Sequence, residues 1–194
     1  MANVKISDAT VTIPAMTDLI PIARPGSTNA YAATIGSLGN AFAYGSFYDT
    51  TNQTAASTTA TYIINIGSVF SASGVSRADG GQIVFGAAGT YNVQYSIQFI
   101  NSNSSVQDAD VWLKKNGVDV ANSNSRWTIP NKHGSVNGAA IAAINFFVTV
   151  SANDYIQLQW AVSNTDVSIA TLAAQTNPIV PVSPGVILTA QQIR

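Results

Sequence analysis

The sequence predicts an all-β protein: a β-sandwich or jelly roll preceded by an extended N-terminal arm. Three observations carry that prediction. Apolar and polar residues alternate with a period of two in one run after another, the signature of strands with one buried face. Turn-forming residues separate the runs at intervals of roughly 8–15 residues, and no segment has convincing helical periodicity. Before residue 46 the pattern changes to short apolar pieces broken by proline. The runs do not recur at a fixed sequence period, so neither a solenoid nor a propeller is expected.

The arm comprises residues 1–45, where Pro14, Pro21, Pro25 and Gly26 interrupt the chain. "IPIARPG" reads as a brief extended piece entering a turn, since proline biases the residue before it away from helix. "TIGSLGNAF" is expected to form one helical turn. Pieces this short cannot close a core alone, so the arm needs another surface to order it.

The head comprises residues 46–194. "SFYDTTNQT" and "TYIINIGSV" are strand-like, the second with Tyr62, Ile64 and Ile66 on one face. "QIVFGAAGTY" gives a short strand, a Gly-rich turn and the start of the clearest strand, "GTYNVQYSIQF". There Tyr91, Val93, Tyr95, Ile97 and Phe99 share one parity, and Asn92, Gln94, Ser96 and Gln98 the other. "ADVWLKKNGVDVANS" holds the strongest turn signal: Asn116-Gly117 between two strand-like runs fits a type I′ hairpin, because both residues tolerate positive φ. "AAIAAINFFVTVSA" and "NDYIQLQWAVSN" follow, joined by a Ser-Ala-Asn turn. "VSIATLAAQ", a loop with Pro178, Pro181 and Pro184, and "GVILTAQQI" close the chain. Eight to ten strands are expected.

Composition narrows the function. Of 194 residues only 9% are charged, against about 25% in ordinary soluble domains, while the apolar share is 46% and the net charge −1. Amides, hydroxyls and alanine have taken the place of charge. Nothing electrostatic points to nucleic acid or an anionic membrane as partner. Cysteine is absent, which excludes disulfides and thiolate metal sites. "MANVKISDATVTIPAM" lacks the apolar run of a secretory leader, and no run is long enough to span a bilayer.

Two strands are apolar on both faces. Ile144, Phe146, Val148 and Val150 make one face of "AAIAAINFFVTVSA", with Ala143 and Phe147 on the other. Val186, Leu188 and Ala190 oppose Ile187 in the last strand. A sandwich strand has one face in the core, so the second apolar face is expected to meet another subunit.

Catalytic and metal chemistry are not expected. His133 is the only histidine, in the Gly/Asn-rich "IPNKHGSVNG", and no nucleophile elbow, phosphate loop or dinucleotide fingerprint occurs. Asp108 and Asp110 project to one side of an extended chain, but two carboxylates fall short of the six to eight oxygens that calcium takes. No cofactor is expected. Trp160 shares parity with Ile156 and Leu158 and belongs to the core. Trp112 is opposite in parity to Val111 and Leu113, which suits an interface or a sugar-stacking platform with Trp127 and Tyr155. "ANSNSRWTIPNKHGS" is expected to be an exposed apical loop presenting Arg126, Trp127, Lys132 and His133 to a receptor.

The order "AGTYNVQYSIQF", "VWLKKNGVDV", "SANDYIQLQW", "GVILTAQQI" resembles the C1q/TNF-like jelly roll over residues 46–194. In that family an Ala/Pro-Gly-x-Tyr strand, a Lys-Asn-Gly hairpin and a Gly-Asp-x-Val-x-Leu strand recur in this order; Asn153 stands here where the family usually has glycine. The resemblance implies a compact sandwich that assembles as a homotrimer, for which Trp112, Phe147 and Ile187 are the expected contact residues. Residues 1–45 are similar to the N-terminal module of tailed-phage fibre and decoration proteins, through "ISDATV", Asp18-Leu19-Ile20-Pro21-Ile22 and Gly26-Ser27-Thr28. Together the two resemblances imply a phage virion protein. With no shaft between arm and head, a capsid decoration (cement) protein on the outer capsid surface is expected, held to the major capsid protein through Ile6, Leu19, Ile20, Ile22 and Leu38. The alternative is a short tail-fibre head that recognises a host surface glycan. The uncharged faces are expected to suit dense packing on a particle, where like charge would repel neighbours.

Overall fold

The computed structural model describes residues 19–22, 31–34 and 42–193. The chain divides into two compact units, Met1–Ala41 and Phe42–Arg194. In the first unit, β1 (Leu19–Ile22) pairs antiparallel with β2 (Tyr31–Thr34), placing Leu19 opposite Thr34 and Ile22 opposite Tyr31. Pro21 is tolerated because a two-stranded ladder leaves an open edge that needs no donor. Beyond Thr34, the segment expected to form a helical turn lies outside the described residues until Phe42.

No helix is present among the described residues of the head. In chain order its strands are β3 (Tyr44–Asp49), β4 (Gln53–Thr54), β5 (Tyr62–Ile63), β6 (Ser68–Ser73), β7 (Val75–Ala78), β8 (Gln82–Phe85), β9 (Gly89–Asn101) and β10 (Gln107–Lys115). There follow β11 (Val118–Asp119), β12 (Ser125–Ile129), β13 (Gly138–Val150), β14 (Tyr155–Val162), β15 (Val167–Ile169), β16 (Gln175–Thr176), β17 (Ile179–Val180) and β18 (Val186–Gln192). More strands form than the expected eight to ten, and the excess has a physical reason. Strand β9 is 13 residues long, so one of its edges accommodates both β18 and β15 in succession. Strand β10 likewise takes β12 and β11 along one edge.

Fourteen of these strands build two seven-stranded sheets, and β16 and β17 pair with each other in a separate ladder. The first runs β4-β15-β9-β18-β3-β6, with β13 on the other edge of β9. The second runs β11-β10-β14-β8-β7, with β12 beside β10 and β5 beside β14. The pairings nest: β3 with β18, β8 with β14, β9 with β13 and β10 with β12. Facing side chains of both sheets fill a continuous core of sandwich type. Aromatic pairs cross it, Phe85 against Tyr91 with ring centroids 4.5 Å apart and Phe99 against Trp160 at 5.9 Å.

The turns follow their local chemistry. Asn116 and Gly117 have φ of 50° and 81° and close the β10–β11 hairpin, with Lys115 opposite Val118. Asn153 has φ 68° in the turn before β14. Asparagine is among the few non-glycine residues that enter this region readily, so this turn closes without a glycine. Gly138 opens β13 where a Cβ would meet the Pro130 carbonyl oxygen at 1.8 Å, so only glycine allows that approach.

One face departs from its pattern. Gln157 and Gln159 alternate with core residues on β14, yet both are buried. Gln157 donates to the Gly80 carbonyl at 2.7 Å and Gln159 to Thr61 Oγ1 at 2.6 Å. The segment around β5 and the turn after β7 cover this part of the outer surface, which explains why the polar side chains there are amides rather than ions.

Candidate functional site

The two sheets differ sharply in charge. Across its seven strands the first sheet holds one charged residue, Asp49, and that side chain is buried. The strands of the second sheet carry Arg77, Asp108, Asp110, Lys114, Lys115, Asp119 and Arg126.

The outer face of the first sheet can be followed row by row through the register. Phe147 lies beside Asn92, Gln191 and Tyr44. Asn145 lies beside Gln94, Thr189 and Ser46, and Ala143 beside Ser96, Ile187 and Tyr48. Phe147 is 69% exposed and Ile141 57%. Phe70 stacks on Tyr48 with centroids 4.1 Å apart and stays largely exposed. A depression of about 400 Å³ opens on this face between Phe42, Tyr44, Asn92, Gln94 and Gln191. The result is a broad surface of amides, hydroxyls and aromatic rings, with no exposed charged side chain on its strands among the described residues.

The second sheet carries a different feature, a depression of about 430 Å³ lined by Asp110, Trp112, Asp119, Val120, Asn122, Asn124, Arg126 and Ala161. Strand alternation puts Asp108, Asp110, Trp112 and Lys114 on its outer face. The register sets Arg126 opposite Asp110 on one side and Ala161 on the other. Arg126 donates through Nε and Nη2 to the Asp110 carboxylate, the latter at 2.9 Å, and Asn124 Nδ2 donates to Asp110 Oδ1 at 2.9 Å. Partial burial alone raises the Asp110 pKa, but the hydrogen bonds from Arg126 and Asn124 and the Arg126 charge outweigh it and hold the carboxyl below its ordinary value. Trp112 Nε1 donates to Asp119 Oδ1 at 2.9 Å, and Lys114 Nζ lies 3.6 Å from the same oxygen.

No family model matches this chain, and no curated protein is significantly similar to it in sequence.

The structure therefore divides the expected contact residues. Phe147 and Ile187 share the outer face of the first sheet, whereas Trp112 belongs to the second sheet, placed there by its alternation with Val111 and Leu113. The expected receptor loop is also divided. Arg126 and Trp127 sit on β12, where Arg126 points outward and Trp127 packs against the core. Lys132 and His133 are exposed in the loop beyond, where His133 bridges Val136 through the backbone. Strand β12 escaped sequence reasoning because only Trp127 and Ile129 mark its inner face, amid a run of Asn and Ser. Asp108 Oδ1 accepts a hydrogen bond from Thr128, and no cluster of metal-ligating side chains is assembled among the described residues. Leu19, Ile20 and Ile22 lie on β1, while Ile6 and Leu38 lie outside the described residues.

Proposed function

We propose that this chain is a structural protein of a tailed-phage particle, a homotrimeric capsid decoration protein. In this reading the outer face of the first sheet meets its own copies, and the N-terminal arm attaches the trimer to the major capsid protein. The observation that carries the reading is the absence of charge from that face. In a three-fold ring two different patches of the same chain meet, and equivalent residues converge only at the axis, where like charges are costly. A face of amides, hydroxyls and aromatic rings brings neither an unpaired charge to the ring contact nor like charges to the axis, and interface cores are depleted of charge and enriched in aromatic residues. The nested pairing of first strand with last, through to the innermost pair, supports a jelly roll in particular.

The arm supplies the attachment. Short extended pieces such as β1 gain backbone hydrogen bonds by adding to an exposed strand, at the cost of ordering entropy. Three arms on one trimer offset that cost, since after one docks the others bind intramolecularly.

The test uses the full chain and a variant lacking residues 1–41. Sedimentation should give the trimer mass for both. Incubated with phage capsids assembled without the protein, the full chain should coat the shell in many copies and the shortened chain should not bind. A monomeric full chain overturns the trimer; undiminished binding by the shortened chain overturns the role of the arm; a few copies confined to the tail overturns decoration.

A further inference from the structure

We infer that the depression around Trp112 on the second sheet is a binding site for a neutral glycan. The inference is independent of the trimer, because the depression is built on β10, β11, β12 and β14 of the second sheet and on the β11–β12 connection, away from the strands of the first sheet.

A sugar ring offers a patch of C–H bonds on one side and a rim of hydroxyls around it. A site for it needs an apolar platform bordered by planar polar groups that donate and accept. The depression has this composition. Trp112, Val120 and Ala161 supply apolar surface, and the rim is made of two carboxylates, two amides and a guanidinium. Its volume, about 430 Å³, falls within the range of small-molecule sites, about 300–1,000 Å³.

The rim is held in place before any ligand arrives. Asp110 is fixed by Arg126 and Asn124, and the Trp112 ring is fixed by its hydrogen bond to Asp119. Groups already ordered lose little entropy on binding. Asn122, with φ 64°, lies in the turn that presents Asn124 beside the pocket. Ala161 makes the room: it stands directly beside Asp110 on β14, where a larger side chain would fill the floor.

Charge selects the class of glycan. Asp110 is neutralised by Arg126, and Asp119 lies beside Lys114. No cation is left over to receive a sialic acid, phosphate or sulfate, and a carboxylate-lined rim disfavours them. Carboxylates paired in this way still accept hydrogen bonds from sugar hydroxyls through their remaining lone pairs.

The experiment titrates the full chain against lactose, maltotriose and chitotriose, with sialyllactose as the anionic comparison, by saturation-transfer NMR. At least one neutral saccharide should show saturable transfer, lost in Trp112→Ala and weakened about tenfold or more in Ala161→Leu. Ala161→Leu, outward-facing and half-buried, should melt as the parent does, so its loss of binding reports the pocket rather than the fold. Absence of transfer to all three neutral saccharides overturns the inference. So does preference for sialyllactose, or binding unchanged in both variants.

Discussion

Phe147 stands directly across the β9–β13 ladder from Asn92, with both side chains on the outer face and the phenyl ring 69% exposed. In the proposed trimer this ring, on a face whose described strand residues carry no exposed charge, is a contact residue. Phe147→Glu introduces one carboxylate per subunit into that face. Because the position is exposed in the single chain, the strand spectrum in circular dichroism should persist, with an intrinsic change within about 0.5 kcal/mol. Association should weaken by several kcal/mol, so sedimentation at micromolar concentration should shift from trimer toward monomer. A trimer that persists unchanged would remove this face from the interface.

Asp49 predicts a large effect of a different kind. It is the lone charged side chain on the strands of the first sheet, is 2% exposed, and forms no ion pair among the described residues. Its oxygens instead accept from the Thr51 amide at 2.7 Å, the Thr51 hydroxyl, Asn65 Nδ2 at 2.9 Å and the Gly67 amide at 2.9 Å. The carboxylate thus ties the end of β3 to the segment between β5 and β6. Asp49→Ala strands those donors and should cost about 3 kcal/mol in chemical denaturation. A loss below about 1 kcal/mol would show that water or a loop shift satisfies them.

Much of this fold is legible in the sequence, and the limits have physical causes. The alternation of Tyr91 through Phe99 fixes the buried and outer faces of β9, and Asn116-Gly117 fixes the β10–β11 hairpin, because both signals are local. Which strands share a sheet is not local. The segregation of charge appears only once β3, β9, β13 and β18 are known to lie together, although each segment is uncharged or nearly so when read alone. The Trp112 depression is hidden for the same reason: Asp110, Arg126 and Ala161 come from three different strands and meet only through register. Gln157 and Gln159 mislead a period-two reading because the cover over them comes from segments distant in sequence, around Gly80 and Thr61.

Tyr95 is a core residue whose hydroxyl is buried without a hydrogen-bond partner, as is the indole N–H of Trp127. Burial pushes the tyrosine pKa above its ordinary value, against smaller opposing effects from Ser125 and Trp127, neither of which reaches it with good hydrogen-bond geometry. An unpaired buried hydroxyl contributes cost rather than stability. Tyr95→Phe should therefore leave the unfolding free energy within about 1 kcal/mol of the parent or raise it. A loss of about 2 kcal/mol or more, measured by denaturant titration, would mean the hydroxyl is paired in solution.

Asp154 joins the two turns that the sequence marks most clearly. It accepts hydrogen bonds from the Ser151 amide at 2.8 Å and from Asn116 Nδ2 at 2.8 Å, and Lys115 Nζ lies 3.0 Å away. These partners, the Ser151 amide foremost, lower its pKa from 3.8 to about 2. The folded state therefore favours the ionised form. The contribution is complete above the ordinary carboxylate value and disappears as pH falls from about 4 to about 2. Asp154→Asn should melt below the parent at neutral pH, since an amide has one acceptor oxygen where the carboxylate accepts at two, and the difference between them should close over that interval. Comparing the two proteins cancels the other carboxylates that titrate in the same range. A difference in melting temperature that stays constant from neutral pH to about pH 2 would show that the Asp154 charge does not hold the Asn116-Gly117 hairpin against the turn at Ser151.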